Sequence, residues 1–283
     1  MILRPSDHYD AATEFLKFAR IREGRPEERM LEEILRRFSR FPYENISKIL
    51  KLNRKFLDPD RIRTPCEVVE DHLRFRLGGT CFSLTFTLQT ILERVGFACY
   101  PVMAHMRSGD NTHCALVLWM AGRKYLVDPG YLLHRPLALD KDQRRIYHTT
   151  FSGVEVRFDA RDEHYHLYTF NRVESKWRYR FQDRPVPPEE FLRHWLDSFY
   201  RPTMHGLCLS ITTEEGLLYL HNDYFRRTTF DGKQTLRVKS DLPRFVEMRF
   251  GIPAELVEEA ARALQENLRL EREYGLFRVP ENG

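Results

Sequence analysis

The stretch Arg76-Leu77-Gly78-Gly79-Thr80-Cys81-Phe82 constrains this chain more than any other, because two consecutive glycines deliver a cysteine onto the start of a helix. The apolar residues from Phe82 to Val95 predict an amphipathic helix, and Gly96 follows as a C-terminal cap would. Cys81 therefore falls in the first turn, where unpaired N–H groups and the positive end of the helix dipole favour an anion. Its thiol should lose a proton more readily than a free one. A thiolate is a nucleophile and a thiol scarcely is, so Cys81 is a candidate nucleophile; the plainer alternative is one more small buried residue.

Upstream, residues 11–21 and 27–38 carry apolar faces and read as two helices parted by Gly24-Arg25-Pro26. Phe41-Pro42-Tyr43-Glu44-Asn45-Ile46 reads as a short extended or turn segment, with Glu44 taken as a solvated carboxylate. Residues 66–75 form a helix leading into the glycine turn. After Gly96 the periodicity becomes extended. Residues 100–104 and 114–120 are strands around a turn at 107–111, and Ala121-Gly122 reverses the chain into Lys124-Tyr125-Leu126-Val127-Asp128. If Ala121-Gly122 is a two-residue loop, His113 and Asp128 share a face within diagonal reach; a slip of one residue would part them. Taken singly, Asp128 is a turn residue and His113 a strand-end histidine. Further strands are expected over 153–158, 164–172 and 177–181, enough for a sheet or small barrel. A helix over 189–199, a hairpin of 217–220 with 226–238 turning near Asp231-Gly232, and a helix over 254–274 complete the chain. His164 and His166 offer two imidazoles without a third ligand of good spacing, so no metal is assigned.

A chain of 283 residues with a charged fraction of 30% and a formal charge of +4 spread along its length suits a globular protein that meets a small anionic ligand at least as well as nucleic acid. Its five cysteines include no C-x-x-C pair, which points to a reduced, cytoplasmic protein without disulfides or structural zinc. The N-terminus turns polar too soon for a signal peptide, and no apolar run approaches spanning length, so neither secretion nor a membrane is expected.

Cys81, His113 and Asp128 together supply a soft nucleophile, an imidazole to take its proton and a carboxylate to fix the tautomer. At these residues the chain resembles the arylamine N-acetyltransferases. The match runs through Gly78-Gly79-Thr80-Cys81-Phe82 on R-G-G-x-C-F-E-x-N, Pro42-Tyr43-Glu44-Asn45 on P-F-E-N, the strand from Thr112-His113 to Leu118, and Tyr125-Leu126-Val127-Asp128-Pro129-Gly130-Tyr131 on Y-L-V-D-V-G-F. Departures are Leu77 for an arginine, Ser83 and Thr85 for Glu and Asn, Pro129 in the turn, and Thr203-Met204-His205 after Pro202.

The resemblance implies an α+β, papain-like cysteine transferase architecture: a helical N-terminal domain (1–95), a β-barrel middle domain (96–198) and an α/β C-terminal lid (199–283). It implies an enzyme that moves an acetyl or other acyl group from coenzyme A to an arylamine or hydrazine, ping-pong, through an acyl-cysteine. Cys81 would be nucleophile, His113 base and Asp128 its partner, with acyl-coenzyme A a co-substrate, no bound cofactor and no nucleic-acid partner. Alternatives are an amide synthase using a carrier-bound acyl group, a transglutaminase-like or papain-like thiol hydrolase, and a non-catalytic binding protein. Coenzyme-contacting residues, acceptor amine, acyl length and oligomeric state stay open.

Overall fold

The structure is a computed structural model that describes residues 3–22, 24–55, 57–149 and 151–275; the N-terminal Met1-Ile2 and residues 276–283 of the expected lid lie outside these. The first portion is helical. Helix α1 (Tyr9–Ala19) buries Ala12, Phe15, Leu16 and Ala19, and α2 (Glu28–Phe38) buries Leu31, Ile34, Leu35 and Phe38, each at the three- and four-residue spacing of one helix face. Strand β1 (Tyr43–Glu44) and α3 (Ile46–Arg54) follow, then the single turn α4 (Asp58–Arg61) and α5 (Pro65–Phe75). A capping box opens α5: Thr64 accepts from the Glu67 amide, Glu67 accepts from the Thr64 amide, and Pro65 stands where no amide hydrogen is needed.

Helix α6 (Cys81–Arg94) is the hub. The sequence pattern predicts one apolar face, but the helix is buried on every side from Cys81 to Leu88. Its hydroxyls permit this, since Thr87 and Thr90 donate to the carbonyls of Ser83 and Phe86 at 2.8 and 2.9 Å. On one flank lie α1, α2 and α5; on the other, strands of the middle portion.

Those strands are β2 (Ala98–Met106), β3 (Gly109–Met120), β4 (Arg123–Val127), β5 (Leu137–Ala138), β6 (Arg145–His148), β7 (Gly153–Asp159), β8 (His164–Phe170) and β9 (Ser175–Phe181). They form an antiparallel sheet in the order β5-β4-β3-β2-β9-β8-β7-β6. Its two edges nearly meet: the Ala138 amide donates to Tyr147 Oη at 2.7 Å, giving the barrel-like form that the strand count predicts. Pro101 is tolerated within β2 because β9 pairs with β2 only from Ala104 to Met106.

Helix α7 (Pro188–Asp197) leads into the last portion, where β10 (Cys208–Thr213), β11 (Gly216–His221), β12 (Tyr224–Thr228) and β13 (Lys233–Arg237) pack against α8 (Leu242–Phe250) and α9 (Ala254–Tyr274). The single hairpin expected here is two: Asn222, in left-handed backbone (φ 52°), makes an additional turn between β11 and β12 before the one near Asp231-Gly232. The sheet order is β1-β10-β11-β12-β13, so a strand from the helical portion forms one edge of the C-terminal sheet. Among the described residues no helix is long and apolar enough to cross a membrane.

Candidate active site

The glycine turn is set by how closely it lies against β1. Gly79 bridges to Tyr43, donating to Pro42 O at 3.2 Å and accepting from the Glu44 amide at 2.9 Å. A Cβ on Gly78 would stand 2.0 Å from Pro42 O, so no side chain fits there. Glu44 is fully buried, which corrects the solvated reading. It accepts from the amide and hydroxyl of Ser47 at 2.9 and 2.6 Å, and buried Arg63 lies 3.5 Å away. A carboxylate so removed from water persists because donors and a cation replace its hydration. Arg63 also bonds Gly78 O, Ser47 Oγ (2.8 Å) and Asp71 (2.6 Å). Leu77 itself is packed in the apolar cluster of α3, α8 and α9, so the guanidinium beside the glycines comes from Arg63.

The β3–β4 register is the one a two-residue loop dictates: Met120 faces Arg123 and Leu116 faces Val127, with Ala121 and Gly122 both at positive φ. It brings His113 Nε2 to 2.8 Å from Asp128 Oδ2. Asp128 is fully buried and receives two further hydrogen bonds, from Tyr179 Oη at 2.5 Å and the Tyr131 amide at 3.1 Å. With Nε2 committed, the other ring nitrogen is left for Cys81, whose side chain meets the imidazole beside Gly130 and interacts with it electrostatically. The three residues named from sequence are thus together. Gly130 packs among all of them, since an added Cβ would meet His113 Cε1 at 2.8 Å, Cys81 Cβ at 3.2 Å and Asp128 Oδ1 at 3.3 Å. Pro129 leaves the turn intact: Leu132 and Leu133 donate to the carbonyls of Pro129 and Asp128. Ser83 and Thr85 are satisfied locally, Ser83 by Thr80 O and Thr85 by Cys114.

The electrostatics favour charge separation. Burial works against the His113 imidazolium, but the Asp128 carboxylate and the Cys81 sulfur prevail and hold it up to about 10. The Cys81 thiol is pushed well below its ordinary value by the neighbouring Cys114 side chain, then, against burial, by His113 and more distantly Lys48. Both shifts favour the thiolate–imidazolium form of the pair. Lys48 is itself buried, with its ammonium on Ser198 O (2.9 Å) and Ser198 Oγ (2.6 Å) and over the Phe199 ring, and burial lowers it to about 7.

Sequence reasoning missed Tyr179, Gly130, Arg63, Cys114 and Lys48. A signal existed for Tyr179, an inward position of the expected 177–181 strand, and for Cys114, the neighbour of His113. Of the histidine pair, His166 has its ring nitrogens engaged by Asp162 and the Trp177 indole, and Arg180 shares Asp162, so within the Asp159, Asp162 and His166 group the last two are already paired. An open cleft of about 510 Å³ lies between β9 and the C-terminal sheet, lined by Arg178, Tyr219, His221, Tyr224, Arg226 and Arg237, and the buried Nε of Arg226 meets no acceptor among the described residues.

Residues 29–258 match the model of the N-acetyltransferase family. No curated protein matches the sequence. Solved structures similar to this one include the arylamine N-acetyltransferase from Mycobacterium abscessus (18% identity, 93% of this chain and 98% of that one, TM-score 0.75) and that from M. tuberculosis (19% identity, 89% and 98%, TM-score 0.75). A third, from Bacillus cereus, described as having a Cys-His-Glu catalytic triad, shares 19% identity over 86% of this chain and 99% of its own, TM-score 0.68. The fold of these structures is the α+β, papain-like arrangement expected above, and with most of its length matched by the family model the chain belongs to the arylamine N-acetyltransferase family and is an N-acetyltransferase enzyme.

Proposed function

We propose that the protein transfers an acetyl or other acyl group from coenzyme A to an arylamine or hydrazine by a ping-pong route through acyl-Cys81. The observation that carries this reading is the buried relay from Cys81 through His113 to Asp128. The Cys81 thiolate attacks the thioester carbonyl, and backbone N–H groups at the start of α6 are the natural donors to the oxyanion. Coenzyme A departs as a thiolate, a good leaving group, and collects the proton held by His113. The acceptor amine then attacks acyl-Cys81, His113 takes the amine's proton, and the Cys81 thiolate leaves. Asp128 stabilises the imidazolium each time it forms. Arg178 and Arg226 in the cleft, where Arg237 is paired with Asp223, suit the phosphates of the donor, because guanidinium forks match phosphate oxygens. In this reading residues 1–95, 96–198 and 199–283 act as nucleophile, base and lid domains, and the free cysteines suit the cytoplasm.

Intact-mass analysis tests the proposal. Protein mixed with acetyl-coenzyme A and no amine should gain one acetyl group, about 42 Da, on Cys81, and an arylamine should then discharge it as the amide. A Cys81 that no coenzyme A thioester acylates, yet that accepts acyl groups from a carrier protein or cleaves peptides, would replace coenzyme A with the amide-synthase or hydrolase reading.

A further inference from the structure

Acyl transfer leaves one thiol at the site without a chemical task. Cys114 follows His113 on β3, so strand alternation sends its side chain to the opposite face, toward α6. There it is fully buried, its thiol donating to Thr85 Oγ1 at 3.5 Å while Thr85 Oγ1 lies 3.4 Å from Cys114 O. Thr85 is one helical turn beyond Cys81 on the same side of α6. Cys81 and Cys114 share a single apolar cluster with Phe82, Phe86 and Met103, so the Cys114 sulfur, resting on Thr85, lies beside the turn of α6 that presents Cys81. The other three cysteines lie on other elements: exposed Cys66 on α5, Cys99 on β2 and Cys208 on β10.

We propose that Cys81 and Cys114 form an intramolecular disulfide when a peroxide oxidises the nucleophile, a reversible modification site that silences the enzyme and spares Cys81 from irreversible oxidation. The inference rests on the nucleophilic thiolate of the function proposed above and is independent of the acyl donor. In the first step the Cys81 sulfur attacks one oxygen of hydrogen peroxide; the O–O bond breaks, hydroxide leaves and is protonated to water, and Cys81 becomes a sulfenic acid, oxidised by two electrons. In the second the Cys114 sulfur attacks the Cys81 sulfur; the S–S bond forms, the S–O bond breaks, and the hydroxyl leaves as water with the Cys114 proton. A reducing thiol reverses the second product by exchange and restores both cysteines. A sulfur already beside the nucleophile shortens the lifetime of the sulfenic acid against a second peroxide.

Peptide mapping decides it, because trypsin cuts at Arg94 and Arg107 and places Cys81, Cys99 and Cys114 in separate peptides. Untreated full-length protein, alkylated briefly at neutral pH, should be labelled at Cys81. After stoichiometric hydrogen peroxide, the protein should lose about 2 Da, yield the Cys81 and Cys114 peptides cross-linked, and return to its starting mass and full Cys81 labelling with dithiothreitol. In both Cys114→Ala and Cys114→Val, Cys81 should instead proceed to sulfinic and sulfonic acids, gains of about 32 and 48 Da that dithiothreitol leaves in place. If Cys81 is labelled in untreated protein but becomes a sulfinic acid with Cys114 still free, or pairs with another cysteine, the proposal falls while the nucleophile stands. Absence of Cys81 labelling in untreated protein removes both.

Discussion

Cys81 takes its chemistry from neighbours rather than from its own position alone. The start of α6 supplies the helix dipole, but contact with Cys114 and the imidazolium of His113 set the direction of its shift against burial. Alkylation rate follows the thiolate fraction, so the wild-type rate should be flat through neutral pH and fall only in acid. With His113→Ala the ion partner is lost, and the rate at neutral pH should drop about tenfold or more and climb toward the ordinary thiol value near 8.5. Rate measured with iodoacetamide from pH 5 to 9 checks this; superimposable profiles for the two proteins would remove His113 from the relay. At the same scale, Asp128 shows why its local appearance misleads. Followed by Pro129-Gly130, it has the look of a turn residue, and it is one, since it accepts from the Tyr131 amide. Its second oxygen meanwhile serves His113 and Tyr179.

At the scale of elements, the turn before α6 is held by a cation that arrives from another part of the chain. Arg63, entering ahead of α5, ties Glu44 in β1, Ser47 in α3 and Gly78 into one buried knot. Arg63→Met should cost about 3–5 kcal/mol, because Glu44 is left as an unpaired buried charge. Adding Glu44→Gln to Arg63→Met should recover a good part of that loss in urea unfolding, whereas a merely packing role for Arg63 would make the two losses add. The β3–β4 hairpin was legible because a two-residue loop fixes register arithmetically, and the opening of α6 was legible because glycines and periodicity are local signals. The Glu44–Arg63 knot was not. A carboxylate among apolar residues reads as solvated until its cation is found, and nothing local says which arginine that is. Tyr179 joins Asp128 across 51 residues of sequence, and only the placing of β9 beside β2 in the sheet brings them together. Strands β5 and β6 were unreadable for another reason: β5 has two residues, and β6 alternates in burial but exposes Ile146 beside a half-buried Arg145, so its residue types show no apolar period.

For the whole molecule, Asn45 stitches the helical portion to the C-terminal sheet. Its Nδ2 donates to Gly206 O at 2.7 Å and Thr203 O at 3.2 Å, while its Oδ1 accepts from the Cys208 amide at 2.8 Å. Asn45→Ala strands these backbone groups and should remove roughly 2–4 kcal/mol of stability. The melting temperature should fall by about 5–10 °C in calorimetry. An unchanged transition would show that β1 and the packing of α3 against α9 hold the joint without Asn45.

That joint also fixes an order of events. Strand β1 lies on one side against the glycine turn that presents Cys81 and on the other against β10, which the ribosome delivers well over a hundred residues later. While the chain is being made, the turn before the nucleophile has its near neighbour but lacks the strand that backs it. The three candidate residues are all synthesised by position 128, yet their support is completed only when Cys208–Thr213 emerges. The nascent protein thus carries a nearly finished thiol site that is braced only near the end of translation, and its chemistry begins as a property of the completed fold.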